Sequence, residues 1–281
     1  MKHLDLARLV INAAQRGAEA AREVLRRGEA ARPIGRGAAG DTTLAIDKAV
    51  EDTILSFLES EVDNFTFLGE ETGLVCHGSE YPLFVVDPVD GSFNASRGLS
   101  LCSVSVAAAL GCTLGDVVAG AVAPISPPGP VIWAIKGGGA YRGHDRISRN
   151  VKGPGFGLCV PFSRRGAMPA ALVAAEAARR GWKVRALGCA SMEVCLVAEG
   201  RLDAYVNAWK AARPVDLAAA LLIAREAGCI VETEWDVDLT SLDTRINVVV
   251  AADSEAYMRV ESLLKTALKG TSSDQPGKLR S

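Results

Sequence analysis

The sequence predicts a mixed α/β protein, with an α+β N-terminal half and an alternating α/β C-terminal half. Three observations carry this. Two amphipathic helical patterns open the chain. Short apolar runs bounded by Gly, Pro and Asp follow. After about residue 150, strand and helix patterns alternate as far as residue 268. The expected organisation is therefore an N-terminal domain over 1–150, a C-terminal domain over 151–268, and a polar, frayed tail over 269–281.

Leu4 to Arg27 carries an apolar stripe through Leu6, Leu9, Val10, Ala13, Ala14, Ala18, Ala21, Val24 and Leu25, the spacing of a helix face. Gly28 to Gly40, rich in Gly, Ala and Arg, reads as a mobile loop. A second helix is expected from Leu44 to Glu61, with Asp41 as a cap. Strands are expected at Phe65–Leu68, Leu83–Val86, Leu101–Val106, Val117–Val122 and Val131–Ile135, the last turning through Gly137-Gly138-Gly139 into Ala140-Tyr141. In the second half, strands at Leu158–Val160, Lys183–Leu187, Ala204–Val206, Cys229–Val231 and Asn247–Ala251 alternate with helices. Those helices lie near Pro169–Arg180, Ser191–Glu199, Val215–Ala227 and Ser254–Leu268.

Composition narrows the function. Of 281 residues, 49% are hydrophobic and 23% charged, a globular balance. With 31 basic and 33 acidic residues the net charge is -2, so no nucleic-acid surface is advertised and a small-molecule partner is the better expectation. Charges interrupt the N-terminus. The most apolar stretch, Val215–Ala224, contains Asp216 and is too short to cross a bilayer, so no membrane role and a cytoplasmic location are expected. Seven scattered cysteines without a Cys-x-x-Cys pair argue for free, buried thiols rather than disulfides or a thiolate zinc site.

The chemistry sits in carboxylates. In Asp87-Pro88-Val89-Asp90-Gly91-Ser92 an apolar strand delivers two acids, two residues apart, where the chain leaves the sheet. Pro88 stiffens the exit and Gly91 permits close backbone approach to a ligand. Mg²⁺ prefers few carboxylates plus substrate phosphate, and Asp87, Asp90 and the Val89 carbonyl suit it. Taken alone, the segment also reads as a turn. Glu70-Glu71 after a short strand reads equally as surface charge. Asp216 in Arg213-Pro214-Val215-Asp216 reads equally as a helix-start residue, and Asp41 with Asp47 as helix-capping residues.

Together these four groups resemble the inositol monophosphatase family of Mg²⁺-dependent, lithium-sensitive sugar phosphatases, over about Asp41 to Gly228. Gly69-Glu70-Glu71-Thr72 is similar to its Gly-Glu-Glu segment, and Asp87–Ser92 to its Asp-Pro-Ile-Asp-Gly-Thr signature. Val215–Ala220 with Glu226-Ala227-Gly228 is similar to its Trp-Asp-x-Ala…Glu-Ala-Gly signature. Gly188-Cys189-Ala190-Ser191 is similar to its substrate-side turn, and the hairpin from Ile135 to Tyr141 also matches. Ser92 stands for the usual Thr, Val215 for the Trp, and Asn207 for a frequent acid. The Asn207–Pro214 texture is closest to the archaeal branch acting on both inositol monophosphate and fructose 1,6-bisphosphate.

The resemblance implies a layered αβαβα sandwich, a homodimer, and two or three Mg²⁺ ions. Glu70, Asp87 and the Val89 carbonyl would hold the first ion. Asp87, Asp90 and Asp216 would hold the second, and Glu70 with Asp41 a third. A metal-activated water would attack the phosphate ester, oriented by Ser92 with Asp47 and assisted by Glu70. Substrate phosphate would meet Asp90, Gly91 and Ser92. Gly188, Cys189, Ala190 and Asn207 would face the rest of the substrate, and Arg164, Arg165, Arg185 and Arg213 are candidates for a second phosphate. Within the family a 3′-phosphoadenosine 5′-phosphate phosphatase is the alternative, poorly served by 5% aromatic residues. An inactive, metal-binding regulatory relative is the other.

Overall fold

The structure, a computed structural model, describes residues 2–38, 40, 42–148 and 154–269. Asp41 and residues 270–281 of the expected tail lie outside the described residues. The chain runs α1 (His3–Arg26), β1 (Pro33–Arg36), β2 (Thr42–Leu44), α2 (Ala45–Glu61), β3 (Phe65–Gly69) and β4 (Gly73–Asp90). There follow α3 (Ser92–Ser96), β5 (Cys102–Ala109), β6 (Val117–Ser126), β7 (Ile132–Ile135), β8 (Gly139–Arg142) and β9 (Asp145–Arg146). The second half comprises β10 (Gly157–Cys159), α4 (Ala167–Arg179), β11 (Lys183–Arg185), α5 (Ala190–Ala198), β12 (Ala204–Ala212), α6 (Pro214–Glu226), β13 (Ile230–Thr233), β14 (Ile246–Ala251) and α7 (Ser254–Ala267).

Two sheets organise these elements. The first has seven strands in sequence order, β3 to β9. Within it, Thr66–Gly69 pair with Leu83–Val86 running the same way and with Gly73–Cys76 running the opposite way, because β4 doubles back around β3. The second has five strands in the order β11-β10-β12-β14-β13, with β10 parallel to β11 and β12, and β14 antiparallel to its two neighbours.

Side-chain alternation sets the layers. Along β4, Phe84 and Val86 join Leu6, Val10, Ile46, Val50 and Ile54 of α1 and α2, while Leu83 and Val85 join Val194, Leu217 and Leu221 of α5 and α6 on the opposite face. Tyr205, Val248 and Val250 of the second sheet close on α5 and α6 from the far side. Val206 and Val249, on the outer face of that sheet, pack with Val173 of α4 and with Val260 and Leu263 of α7. The order is thus helices, sheet, helices, sheet, helices: the expected αβαβα sandwich. This explains why α6 is buried continuously from Leu217 to Ala224, since it lies between two sheets. Each of its buried Leu or Ile side chains contributes roughly 1.5–3 kcal/mol.

Three expectations are corrected. The Gly28–Gly40 loop contains β1, paired antiparallel with β2, and its four exposed residues carry no apolar pattern to read. Leu44, not Asp41, is the N-cap of α2, and its amide donates to Asp47 Oδ2 at 3.3 Å. Cys76 and Cys112 are exposed rather than buried. Among the described residues no helix is long and apolar enough to cross a membrane.

Candidate metal and phosphate site

Four segments converge where the two halves meet. The end of β3 delivers Glu70, and the end of β4 delivers Asp87, Val89 and Asp90. Gly91 then turns left-handed, at φ 89°, and caps the short helix α3, which begins at Ser92. A Cβ on Gly91 would lie 3.0 Å from the Gly188 carbonyl and 3.1 Å from that of Leu101, so this crossing has no room for a side chain. Arg213 and Asp216 come from the start of α6, and Cys189, Ala190 and Ser191 from the start of α5.

Asp90 joins the halves. Its Oδ2 accepts from Ser191 N and Ser191 Oγ, both at 2.6 Å, and from Cys189 Sγ at 3.3 Å. Its Oδ1 accepts from Ala190 N at 3.1 Å. Oriented amides and the helix N-terminus together stabilise this anion. Asp87 is 2% exposed, and its Oδ1 accepts from Val89 N at 3.1 Å. Ser92 Oγ donates to the Val89 carbonyl at 2.7 Å and lies 3.3 Å from Asp47 Oδ1, the contact that the family resemblance implies.

Burial pushes the Asp87 carboxyl well above the usual carboxylate range. Glu70, Asp216 and Asp90 push the same way, and Arg213 opposes them. Burial also raises Asp90 and Asp216, against their hydrogen bonds and Arg213 respectively. Asp47 is pushed up to about 7, by burial and then by Glu71 and Glu70. These are hard oxygen donors, desolvated and mutually repelling, the donor chemistry that a divalent cation satisfies. Asp216 Oδ1 is buried and accepts no well-aligned hydrogen bond, and its near neighbour is a cationic group, Arg213 Nη2 at 2.8 Å. Among the described residues, however, no three His, Cys, Asp or Glu side chains form a ready-made ligand cluster. The carboxylates fit the group in chemistry, while a cation already stands between two of them.

That cation is Arg213. Its Nη1 lies 2.7 Å from Glu70 Oε1. On its other side Nε lies 3.1 Å from Asp216 Oδ2 and Nη2 2.8 Å from Asp216 Oδ1. Arg213, expected from sequence to face a distal phosphate, has its guanidinium engaged by acids in this structure. Arg164 and Arg165 lie exposed in the turn before α4. The Cys189 side chain points inward, fully buried against Asp90 and Ser103, which leaves its backbone for any ligand. Asn207 is buried on β12, with Oδ1 accepting no hydrogen bond.

Several positioning groups were not read from sequence. Glu51, fully buried on α2, accepts from the amides of Glu71 at 2.9 Å and Thr72 at 2.6 Å and so fixes the turn carrying Glu70. Glu193 accepts from the amides of Leu187 and, at 3.1 Å, Gly188, fixing the turn before α5. The available signal was an acid set among apolar residues on a helix face, Glu51 one turn after Asp47 on α2 and Glu193 on α5. Asn94 Nδ2 donates to the Leu101 and Leu187 carbonyls at 2.9 and 2.8 Å. Arg245, held by the carbonyls of Leu242 and Thr244 at 2.8 and 2.9 Å, feels the charges of Arg213, Arg165 and Asp216.

Comparison with known proteins agrees with this architecture. A family model described as "Inositol monophosphatase family" matches residues 5–268. An inositol-1-monophosphatase from Aeropyrum pernix is 34% identical over 241 residues, covering 81% of this chain and 86% of that one. A fructose-1,6-bisphosphatase/inositol-1-monophosphatase from Thermococcus kodakarensis is 34% identical over 248 residues, covering 86% and 88%. Mycobacterium tuberculosis SuhB superposes with a TM-score of 0.74 at 26% identity, over 95% of this chain and 98% of its own. The chain belongs to the inositol monophosphatase family of metal-dependent phosphoric monoester hydrolases.

Proposed function

We propose that this phosphatase hydrolyses both inositol 1-phosphate and fructose 1,6-bisphosphate with Mg²⁺, at the carboxylates gathered between the two halves. The observation that carries the reading is the group of acids Glu70, Asp87, Asp90 and Asp216, supplied by three chain segments, in which burial and then the neighbouring Glu70, Asp216 and Asp90 hold the Asp87 carboxyl well above the usual carboxylate range. Glu70, Asp87 and the Val89 carbonyl would hold one ion, and Asp87, Asp90 and Asp216 a second, Asp41 being the proposed contact of a third. Bound there, Mg²⁺ supplies the positive charge that eases deprotonation of water and neutralises the phosphoryl oxygens.

The chain's own groups do the rest. Asp47 holds the Ser92 hydroxyl, and with a pKa near 7 it can take or return a proton through that contact. The close crossing at Gly91 fixes the backbone at the start of α3, where the phosphate would meet Asp90, Gly91 and Ser92. Ala190 and Ser191 anchor Asp90, so the acid presents a fixed face. A neutral Asn207 does not repel a second phosphate, which supports the bisphosphate as a substrate. Arg165 with Arg245, rather than Arg213, would meet that phosphate. We also propose domains over 1–150 and 151–268, a cytoplasmic location and a homodimer. The exposed Phe93 and Leu99 around α3 support the dimer.

The test is Mg²⁺-dependent phosphate release from both substrates, in the parent and in an Arg165→Ala/Arg245→Ala variant. Selective loss of the bisphosphate is expected. No hydrolysis of fructose 1,6-bisphosphate by the parent overturns the dual reading, and equal loss of both substrates removes the arginine pair from it.

A further inference from the structure

Arg213 is the N-cap of α6, placed there by Pro214 at the first helical position. Its guanidinium spans the two halves, with Glu70 from the first sheet on one side and Asp216 from α6 on the other. All three side chains are about one-fifth exposed, so the contacts are largely shielded from water. Asp216 and then Glu70 drive the Arg213 pKa upward against its burial, so the guanidinium stays charged.

A bidentate arginine occupies the oxygens that a metal would need. Both Asp216 oxygens and Glu70 Oε1 already face nitrogen within 3.1 Å. A cation entering there must share or displace these contacts, and like charges at such separations repel.

We propose that Arg213 is an internal counter-ion that competes with the divalent cation for Glu70 and Asp216. In the metal-free protein it ties the two halves together. When metal arrives, it yields these oxygens. The residue thereby sets the metal concentration at which the site fills. This rests on the metal roles proposed above for Glu70 and Asp216. Its opposite is also physical: an arginine that merely orients the two acids would help metal bind.

Calorimetric titration with Mn²⁺, in the absence of substrate, separates the two. In Arg213→Met the competing charge is gone, and Mn²⁺ affinity should tighten roughly tenfold. The metal-free variant should melt roughly 5–10 °C below the parent, because its acids lose their partner. Saturating Mn²⁺ should close most of that gap. Arg213→Lys, which keeps a charge but not the planar fork, should fall between and guards against a Met variant that does not fold. Unchanged or weaker Mn²⁺ binding in both variants overturns the proposal. A parallel titration of Asp216→Asn tests the foundation. If that variant binds Mn²⁺ as well as the parent, Asp216 is not a metal ligand and the metal-site reading fails first.

Discussion

Ser191 directs both its backbone amide and its hydroxyl at a single oxygen of Asp90, each at 2.6 Å. This makes Asp90 a structural joint as well as an acid of the site. Ser191→Ala keeps the amide and removes the hydroxyl, a buried bond to a charged group worth roughly 1.5–3 kcal/mol. The unfolding free energy in urea should fall by about that amount, and kcat with it. A variant as stable as the parent would show that the hydroxyl holds nothing.

Asp90→Asn should lose more than turnover. The amide can turn one oxygen toward α5, but its NH₂ then faces donors. Activity should drop by at least about 10²-fold even at high Mg²⁺, with a lower melting temperature. Near-parent activity at saturating Mg²⁺ would falsify the two-metal assignment.

Ser92 offers a graded test. Ser92→Thr retains the hydroxyl that meets Val89 and Asp47 and should keep most activity. Ser92→Ala should lower kcat more than it raises KM, the mark of a group acting mainly in the transition state. The measurement is steady-state kinetics on inositol 1-phosphate. Equal kcat for the Ala variant and the parent would take Ser92 out of the mechanism.

Glu193 predicts a pH dependence of stability. Burial pushes its carboxyl from the ordinary 4.5 up to about 7, against the amide of Leu187 and helped by the charge of Asp90. The folded state therefore holds this proton longer than the unfolded chain. Its contribution is fully present below about pH 4.5 and is lost as pH rises through about 7, a swing on the order of 3 kcal/mol. Glu193→Gln keeps an oxygen for Leu187 and Gly188 but cannot ionise. The parent's urea stability should fall relative to this variant between pH 5 and 8, and parallel profiles would refute the assignment.

Gly120 of β6 predicts a packing penalty. A Cβ there would lie 2.8 Å from the Ala219 Cα of α6. Gly120→Val should cost at least roughly 1–3 kcal/mol, read by urea unfolding, because neither sheet nor helix can retreat from a two-sided core.

The fold was legible where burial imposes a period. Leu83–Val86 read as a strand because both of its faces are covered, and Val215–Ala227 read as a helix because the run Leu217–Ala224 within it is continuously apolar. The β1–β2 hairpin was illegible because its first strand is exposed and carries no pattern. Asp87, Asp90 and Asp216 stood out from local context, an acid at the end of an apolar strand or the start of an apolar helix. The pairing of Arg213 with Glu70 did not, since the two lie 143 residues apart and only the packing of α6 against the first sheet makes them neighbours. Glu51 and Glu193 act on backbone amides, which have no letter in a sequence.

The central position of α6 also bears on synthesis. The first sheet is built from residues 65–146, yet the helices covering its inner face begin only at Ala190 and Pro214. While the intervening chain is being made, a face bearing Leu83, Val85, Ala107 and Val122 has nothing of its own to lie against. A released fragment ending near residue 160 should therefore bind an apolar dye and engage chaperones, and one extended past residue 230 should release both. The enzyme's first half waits, greasy side out, for a helix that arrives some seventy residues later.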